Sequence, residues 1–165
     1  MIEKNAVDAP HPTDADGADM ARHVSRLKSL LGCDEVTVLA LDAGKNRAVR
    51  LYTTISGAFP EAASKPVPGP DWKETVMVRG QPMLTAGEEN LRMVFPDAEA
   101  ILQSGFEAVL NLPVIFEGDC IGALNCLYRL TGVSLPTEDA IGEAFAFLGD
   151  SALPGILSLA TRAGI

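Results

Sequence analysis

Histidine, tryptophan and cysteine are scarce in this chain of 165 residues, which has 2, 1 and 3 of them. A Ser–His–Asp or Cys–His catalytic arrangement needs a placed imidazole. His11 falls in a polar N-terminal stretch, and His23 reads as a surface or dimer-seam residue of a helix. Cys33, Cys120 and Cys126 match none of the usual zinc spacings, so no metal site is expected. Cys120 and Cys126 lie on one expected strand, about 20 Å apart when extended, which excludes a bridge between them. Basic residues are also few, 13 Lys and Arg against 22 Asp and Glu, for a net charge of −9. That excludes a general nucleic-acid binder and an anionic-membrane binder, since both need clustered positive charge. No unbroken apolar run approaches the roughly 18 residues of a bilayer span. The start, MIEKNAVDAP, lacks the hydrophobic stretch of a secretory leader. A soluble, cytoplasmic protein with free thiols is therefore expected.

What is present is globular composition, 47% apolar and 21% charged. The length suits one domain at roughly 150 residues per domain. Residues 1–16 are polar, acidic and proline-containing and are expected to be a flexible tail; residues 17–165 form the domain. Met20, Val24, Leu27 and Leu31 make one apolar stripe, predicting a helix over 17–31, capped by Asp16 and ended by Gly32. Val36–Leu41 reads as a buried strand, and residues 48–55 as its hairpin partner. Residues 56–70, with Gly57, Pro60, Pro66, Pro68, Gly69 and Pro70, read as a long crossing loop. Asp71-Trp72-Lys73-Glu74 has capping-box spacing and opens a helix with Trp72, Val76 and Met77 on its apolar side and Gly80 at its end. Residues 82–85 are a short strand, and Pro96 starts a helix to Ser104. Residues 108–116 and 120–128 form the clearest hairpin, with Pro113 at an edge or bulge. Thr137 caps a last helix bearing Ile141, Phe145, Leu148 and Ala152, kinked or ended by Pro154. The sum is an α+β fold, a central antiparallel sheet with terminal helices on one face.

This order, with Leu112-Pro113-Val114, the turn Glu117-Gly118 and Ile121-Gly122-Ala123-Leu124-Asn125, resembles the GAF domain family of small-molecule sensor modules. The resemblance covers residues 18 to about 160. It implies a GAF-like (profilin-like) antiparallel sheet of five or six strands, with the N- and C-terminal helices on one face. Segments 56–80 and 86–106 would cover a pocket on the other face. It also implies pairing through the helices at 17–31 and 137–162, a homodimer. The family takes cyclic nucleotides, tetrapyrroles, haem, amino acids and other small molecules, so ligand and cofactor stay unassigned. The chain contains no P-loop, kinase glycine-rich loop or GGDEF-like run, so a stand-alone sensor acting through a partner is expected.

Three functions compete. The first is a non-catalytic ligand-binding module. Trp72 either stacks on the ligand or simply packs the lid. Tyr52 points either way from its strand. Asn111 and Asn125 interrupt apolar strands, and a buried Asn needs partners, backbone or ligand. Arg79 and Arg92 in the covering segments would meet an anion, and Glu88-Glu89, read as a loop, a cation. The second is an enzyme like the free methionine-(R)-sulfoxide reductases, a GAF branch that uses cysteines between the middle strands. Gly57 to Phe116 contains no cysteine here, which disfavours it. The third is an interaction module that has lost its ligand. A roomy polar pocket favours the first reading, a cysteine pair at bridging distance the second, and a side-chain-filled core the third.

Overall fold

The computed structural model describes residues 15–129 and 134–165. The expected tail, apart from its last residues, and His11 lie outside the described residues. The N-terminal helix α1 (Ala15–Leu31) is under way at Ala15, so Asp16 lies within it and is not its cap. Met20, Val24, Leu27 and Leu31 are all buried, as their spacing requires. Gly32 takes φ +65° and its N–H donates to the Lys28 carbonyl at 2.8 Å, the left-handed helix end that glycine permits.

Six strands follow: β1 (Glu35–Asp42), β2 (Arg47–Thr53), β3 (Ser64–Pro66), β4 (Met83–Ala86), β5 (Ala108–Phe116) and β6 (Asp119–Tyr128). They form one sheet in the order β3-β2-β1-β6-β5-β4, and every pair is antiparallel. Strand β3 lies inside the stretch read as a loop; its three residues are too few for a periodic signal. Strand β4 ends opposite Asn111, so Pro113 sits where β5 has β6 as its one neighbour. Its missing N–H therefore breaks no ladder bond to β4.

Between β3 and β5 lie α2 (Pro70–Trp72), a π-helical turn (Lys73–Val78), α3 (Glu88–Val94) and α4 (Ala98–Gln103). Here three local expectations are corrected. Gly69 is the cap of α2 and Pro70 its first residue, so Asp71 is inside the helix and no capping box forms. Proline is suited to that first position because its absent N–H has no intrahelical partner there. Helix α3 occupies a stretch read as loop, and Glu88-Glu89 form its first turn. Asp97, not Pro96, immediately precedes α4.

The chain ends in α5 (Glu138–Phe147), a π-helical turn (Leu148–Ala152) and α6 (Leu153–Arg162). The Thr137 hydroxyl accepts from the Ala140 N–H at 3.1 Å, the expected cap. Pro154 neither ends nor interrupts the helix. The π-turn precedes it, and the Leu153 N–H reaches back to the Leu148 carbonyl. The α-helix resumes at Leu153, directly after the widened turn, with Pro154 in its first turn, where an N–H is dispensable. Over Glu138–Arg162, 25 residues, the mean hydropathy of an 18-residue window reaches 1.3, long and apolar enough to cross a bilayer by length and composition alone. No unbroken apolar run of that length occurs in it; Gly149, Asp150 and Ser151 interrupt the apolar residues, and the Ala, Leu, Ile and Phe on either side carry the mean. In this fold Ala144, Leu148, Ala152 and Ile156 pack into the core with α1 and the sheet.

The sheet separates two cores. On the helix side lie Val36, Val38, Ala40, Leu110, Leu112, Val114, Leu124, Cys126 and Tyr128 with α1, α5 and α6. On the other side Leu39, Leu41, Val109, Ala123 and Leu127 meet Phe59, Val67, Trp72, Val76, Leu91, Phe95, Ile101 and Phe106 from the covering segments. Period-two alternation along β1 divides its residues between the faces, Val36, Val38 and Ala40 to one side and Leu39 and Leu41 to the other.

Candidate functional site

A cavity of about 20 Å³, room for one or two waters, lies between the sheet and its cover. Its floor is built by three strands. Thr37 of β1, Asn125 of β6 and Asn111 of β5 are cross-strand neighbours in register, all on the covered face and all buried. They form a chain. Asn111 Nδ2 donates to Asn125 Oδ1 at 2.6 Å, and Asn125 Nδ2 donates to Thr37 Oγ1 at 3.2 Å. Asn111 Oδ1 is left without a protein partner.

Arg50 reaches the cavity from β2 and is 7% exposed. Its guanidinium donates to the Pro60 carbonyl at 3.1 Å and lies 5.3 Å from the centroid of the Phe59 ring. Its Nε has no protein partner. Burial pulls its pKa below the ordinary arginine value, against the opposing attraction of Asp97. Lys65 of β3 and Asp97 before α4 close the wall with a 2.9 Å ion pair on Asp97 Oδ2. Asp97 Oδ1 is buried and unpartnered. Trp72, 2% exposed, covers the cavity with Phe59 and Phe95, and its Nε1–H also lacks a protein partner. Four residues lining one cavity thus each hold a buried polar atom without a protein partner, where buried groups are ordinarily paired.

Of the residues singled out from sequence, Trp72, Asn111 and Asn125 meet at this cavity. Tyr52 does not; it packs against the helix-side core. Strict alternation would give it the face of Arg50, but β2 carries a bulge. Arg50 pairs with Leu39 and Tyr52 with Val38, so Leu51 is the extra residue that switches the face. Arg79 is exposed and pairs with Glu74 at 3.2 Å. Arg92 is exposed on α3, bonded to Glu99 at 2.7 Å and paired with Glu88. Neither arginine lines the cavity. Arg50, Lys65 and Asp97 are the residues that sequence reasoning missed. Arg50 had a signal, a charge two residues from Ala48 in an alternating strand; Lys65, in the three-residue strand β3, and Asp97, in the turn before α4, had none.

The thiols lie elsewhere. Cys33 and Cys126 are buried together in the helix-side core, across the sheet from the cavity. Their mutual hydrogen bond, with burial, pushes the Cys126 thiol up. Cys120 is half-buried, its pKa also raised by burial, and its thiol donates to the Gly122 carbonyl at 3.2 Å. A paired-thiol contact is thus present, but on the wrong face to meet a molecule in the cavity. His23 packs edge-on against Phe147, ring centroids 5.8 Å apart, at the seam of α1 and α5. Among the described residues no three His, Cys, Asp or Glu side chains cluster to hold a metal ion.

No curated protein matches the chain in sequence. Solved structures match in fold. The GAF domain of a two-component sensor histidine kinase from Bacillus halodurans superposes with TM-score 0.65 at 11% identity, covering 87% of this chain and 95% of that one. The second GAF domain of DevS from Mycobacterium smegmatis gives 0.61 at 15% identity, covering 91% and 99%. The GAF domain of PixJ from Thermosynechococcus elongatus, in its blue-light absorbing form, gives 0.56 at 19%, covering 86% and 83%. The GAF domain family model matches residues 20–147. Sheet order, two-sided core and sequence model agree, and the chain belongs to the GAF domain family.

Proposed function

We propose that this GAF domain is a non-catalytic, small-molecule-binding regulatory module whose ligand sits between the sheet and the segments 56–80 and 86–106. The observation that carries the reading is the set of four unpartnered polar atoms, on Arg50, Trp72, Asp97 and Asn111, around one cavity. Leaving such atoms buried without partners costs about 1–3 kcal/mol each. A ligand that pairs them recovers that cost. Any ligand larger than one or two waters displaces the cover outward, so binding favours a state in which the cover is repositioned. The cover is tied in by contacts such as the Gly69 N–H to the Val94 carbonyl at 3.1 Å, joining α2 to α3.

The module acts as a homodimer in the cytoplasm. Half-exposed Ile141, Phe145, Phe147, Leu153, Leu157 and Leu159 run along the C-terminal helices beside α1, apolar surface that a second copy would cover. Native mass spectrometry of the protein as purified, with a denatured control, tests both parts. A dimer carrying excess mass that is lost on denaturation is the expected result. A bare dimer that binds nothing from a metabolite panel would replace this reading with the ligand-free interaction module, and a monomer would remove the pairing.

A further inference from the structure

We infer that the ligand of this cavity is a small monoanion that also carries a hydrogen-bond donor, the chemistry of a short hydroxycarboxylate. This rests on the reading of the cavity as a binding site. The first argument is charge. Lys65 and Asp97 neutralise each other at 2.9 Å. Arg50 is not in ion-pair contact with any carboxylate among the described residues; its protein acceptor is the Pro60 carbonyl. An arginine in a protein does not shed its proton, and a buried charge is costly unless paired. The wall therefore carries one net positive charge. A neutral ligand leaves it uncompensated, a dianion overshoots it, and a monoanion balances it.

The second argument is the hydrogen-bond inventory. Arg50 Nε and Trp72 Nε1 are donors without protein partners, and the two oxygens of a carboxylate accept from two such groups. Asp97 Oδ1 is an acceptor without a partner and needs an O–H or N–H from the ligand. Asn111 serves either need. The chain from Asn111 through Asn125 to Thr37 runs equally well reversed, with both amides turned and the Thr37 hydroxyl donating. Asn111 then offers N–H to the cavity where it otherwise offers oxygen. A simple carboxylate satisfies the donors and leaves Asp97 Oδ1 unpaired. An ammonium donor would satisfy Asp97 but add a cation beside Lys65 and Arg50. A hydroxyl donates without adding charge. Each added carbon pushes the cover, with the rings of Phe59, Phe95 and Trp72, further out, so a short skeleton is favoured.

The test uses the full chain, with glycolate as probe and isothermal titration and thermal unfolding as readouts. Acetate keeps the charge without the donor, glycolamide keeps the donor without the charge, and glycine replaces the hydroxyl by ammonium. Glycolate is expected to bind in the millimolar range or better, with each of the other three weaker by roughly tenfold or more. Arg50→Met should abolish glycolate binding. Trp72→Phe, which keeps an aromatic six-membered ring and removes the pyrrole ring with its N–H donor, should weaken it roughly tenfold and covers the case in which R50M does not fold. Equal binding of acetate and glycolate, or undiminished binding in both variants, overturns the inference. So does a neutral or cationic molecule retained on purification, with none of the probes bound; that outcome leaves the binding-site reading standing. Absence of both probe binding and a retained molecule overturns the two together.

Discussion

Gly122 lies on β6 between Ala40 of β1 and Val114 of β5, at the centre of the sheet. A Cβ built on it would stand 2.2 Å from the Leu39 carbonyl oxygen, 3.3 Å from its carbon and 3.5 Å from the Ala40 Cα. The obstacle is backbone, so no rotamer change relieves it. To accept Gly122→Ala, β1 and β6 must separate by about 1 Å, which lengthens ladder hydrogen bonds past good geometry. Overpacking costs about 1–3 kcal/mol where side chains give way, and a rigid central strand pair places this substitution at about 3 kcal/mol. For a chain of this size that is a fall of about 6–12 °C in Tm. Gly118, in the turn that joins β5 to β6, is the control. It has φ +87° and nothing within 4 Å of a built Cβ, so Gly118→Ala pays only for the left-handed backbone, about 1 kcal/mol. Urea and thermal unfolding of both variants would measure the two costs. A Gly122→Ala loss below that of Gly118→Ala would refute the close-approach argument.

The Tyr128 hydroxyl is buried and donates to the Leu31 carbonyl at 3.0 Å, and burial raises its pKa well above the ordinary phenol value. The folded state keeps the phenol proton when the unfolded state, near pH 10, gives it up. Stability from this group is therefore intact below that pH and falls as pH rises above it; Tyr128→Phe should flatten the alkaline limb of a stability–pH profile. Asn125→Ala leaves Asn111 Nδ2 and Thr37 unpaired and should cost about 2 kcal/mol in urea unfolding, with the paired substitution Asn111→Ala in the same chain costing less than additively. Thr137→Ala removes the cap on α5 and should cost about 1 kcal/mol by the same assay.

Apolar spacing along the chain was enough to locate both terminal helices and the four long strands. Met20, Val24, Leu27 and Leu31 repeat at helical spacing and are all buried. Leu112-Pro113-Val114 and Ile121–Asn125 carried the family resemblance, and the close approach at Gly122 is a physical reason for glycine there. Short elements escaped. Helix α3 spans seven residues and β3 three, too few to display a period. Asp71 and Glu74 had the spacing of a capping box, but Pro70 takes the first helical position and shifts the cap to Gly69.

Local sequence by itself determined the terminal helices, the four long strands and the apolar stripe of α1, because those depend on neighbours within a few residues. It also marked Trp72, Asn111 and Asn125. Tertiary structure alone decided the site. A single extra residue at Leu51 turns Tyr52 to the helix-side core and leaves Arg50 at the cavity. Lys65 and Asp97, 32 positions apart, pair only because β3 and α4 are brought to one wall. The unpartnered atoms exist as a set only once four separate segments, β2, α2, the turn before α4 and β5, have folded around one space, and no local pattern encodes that meeting.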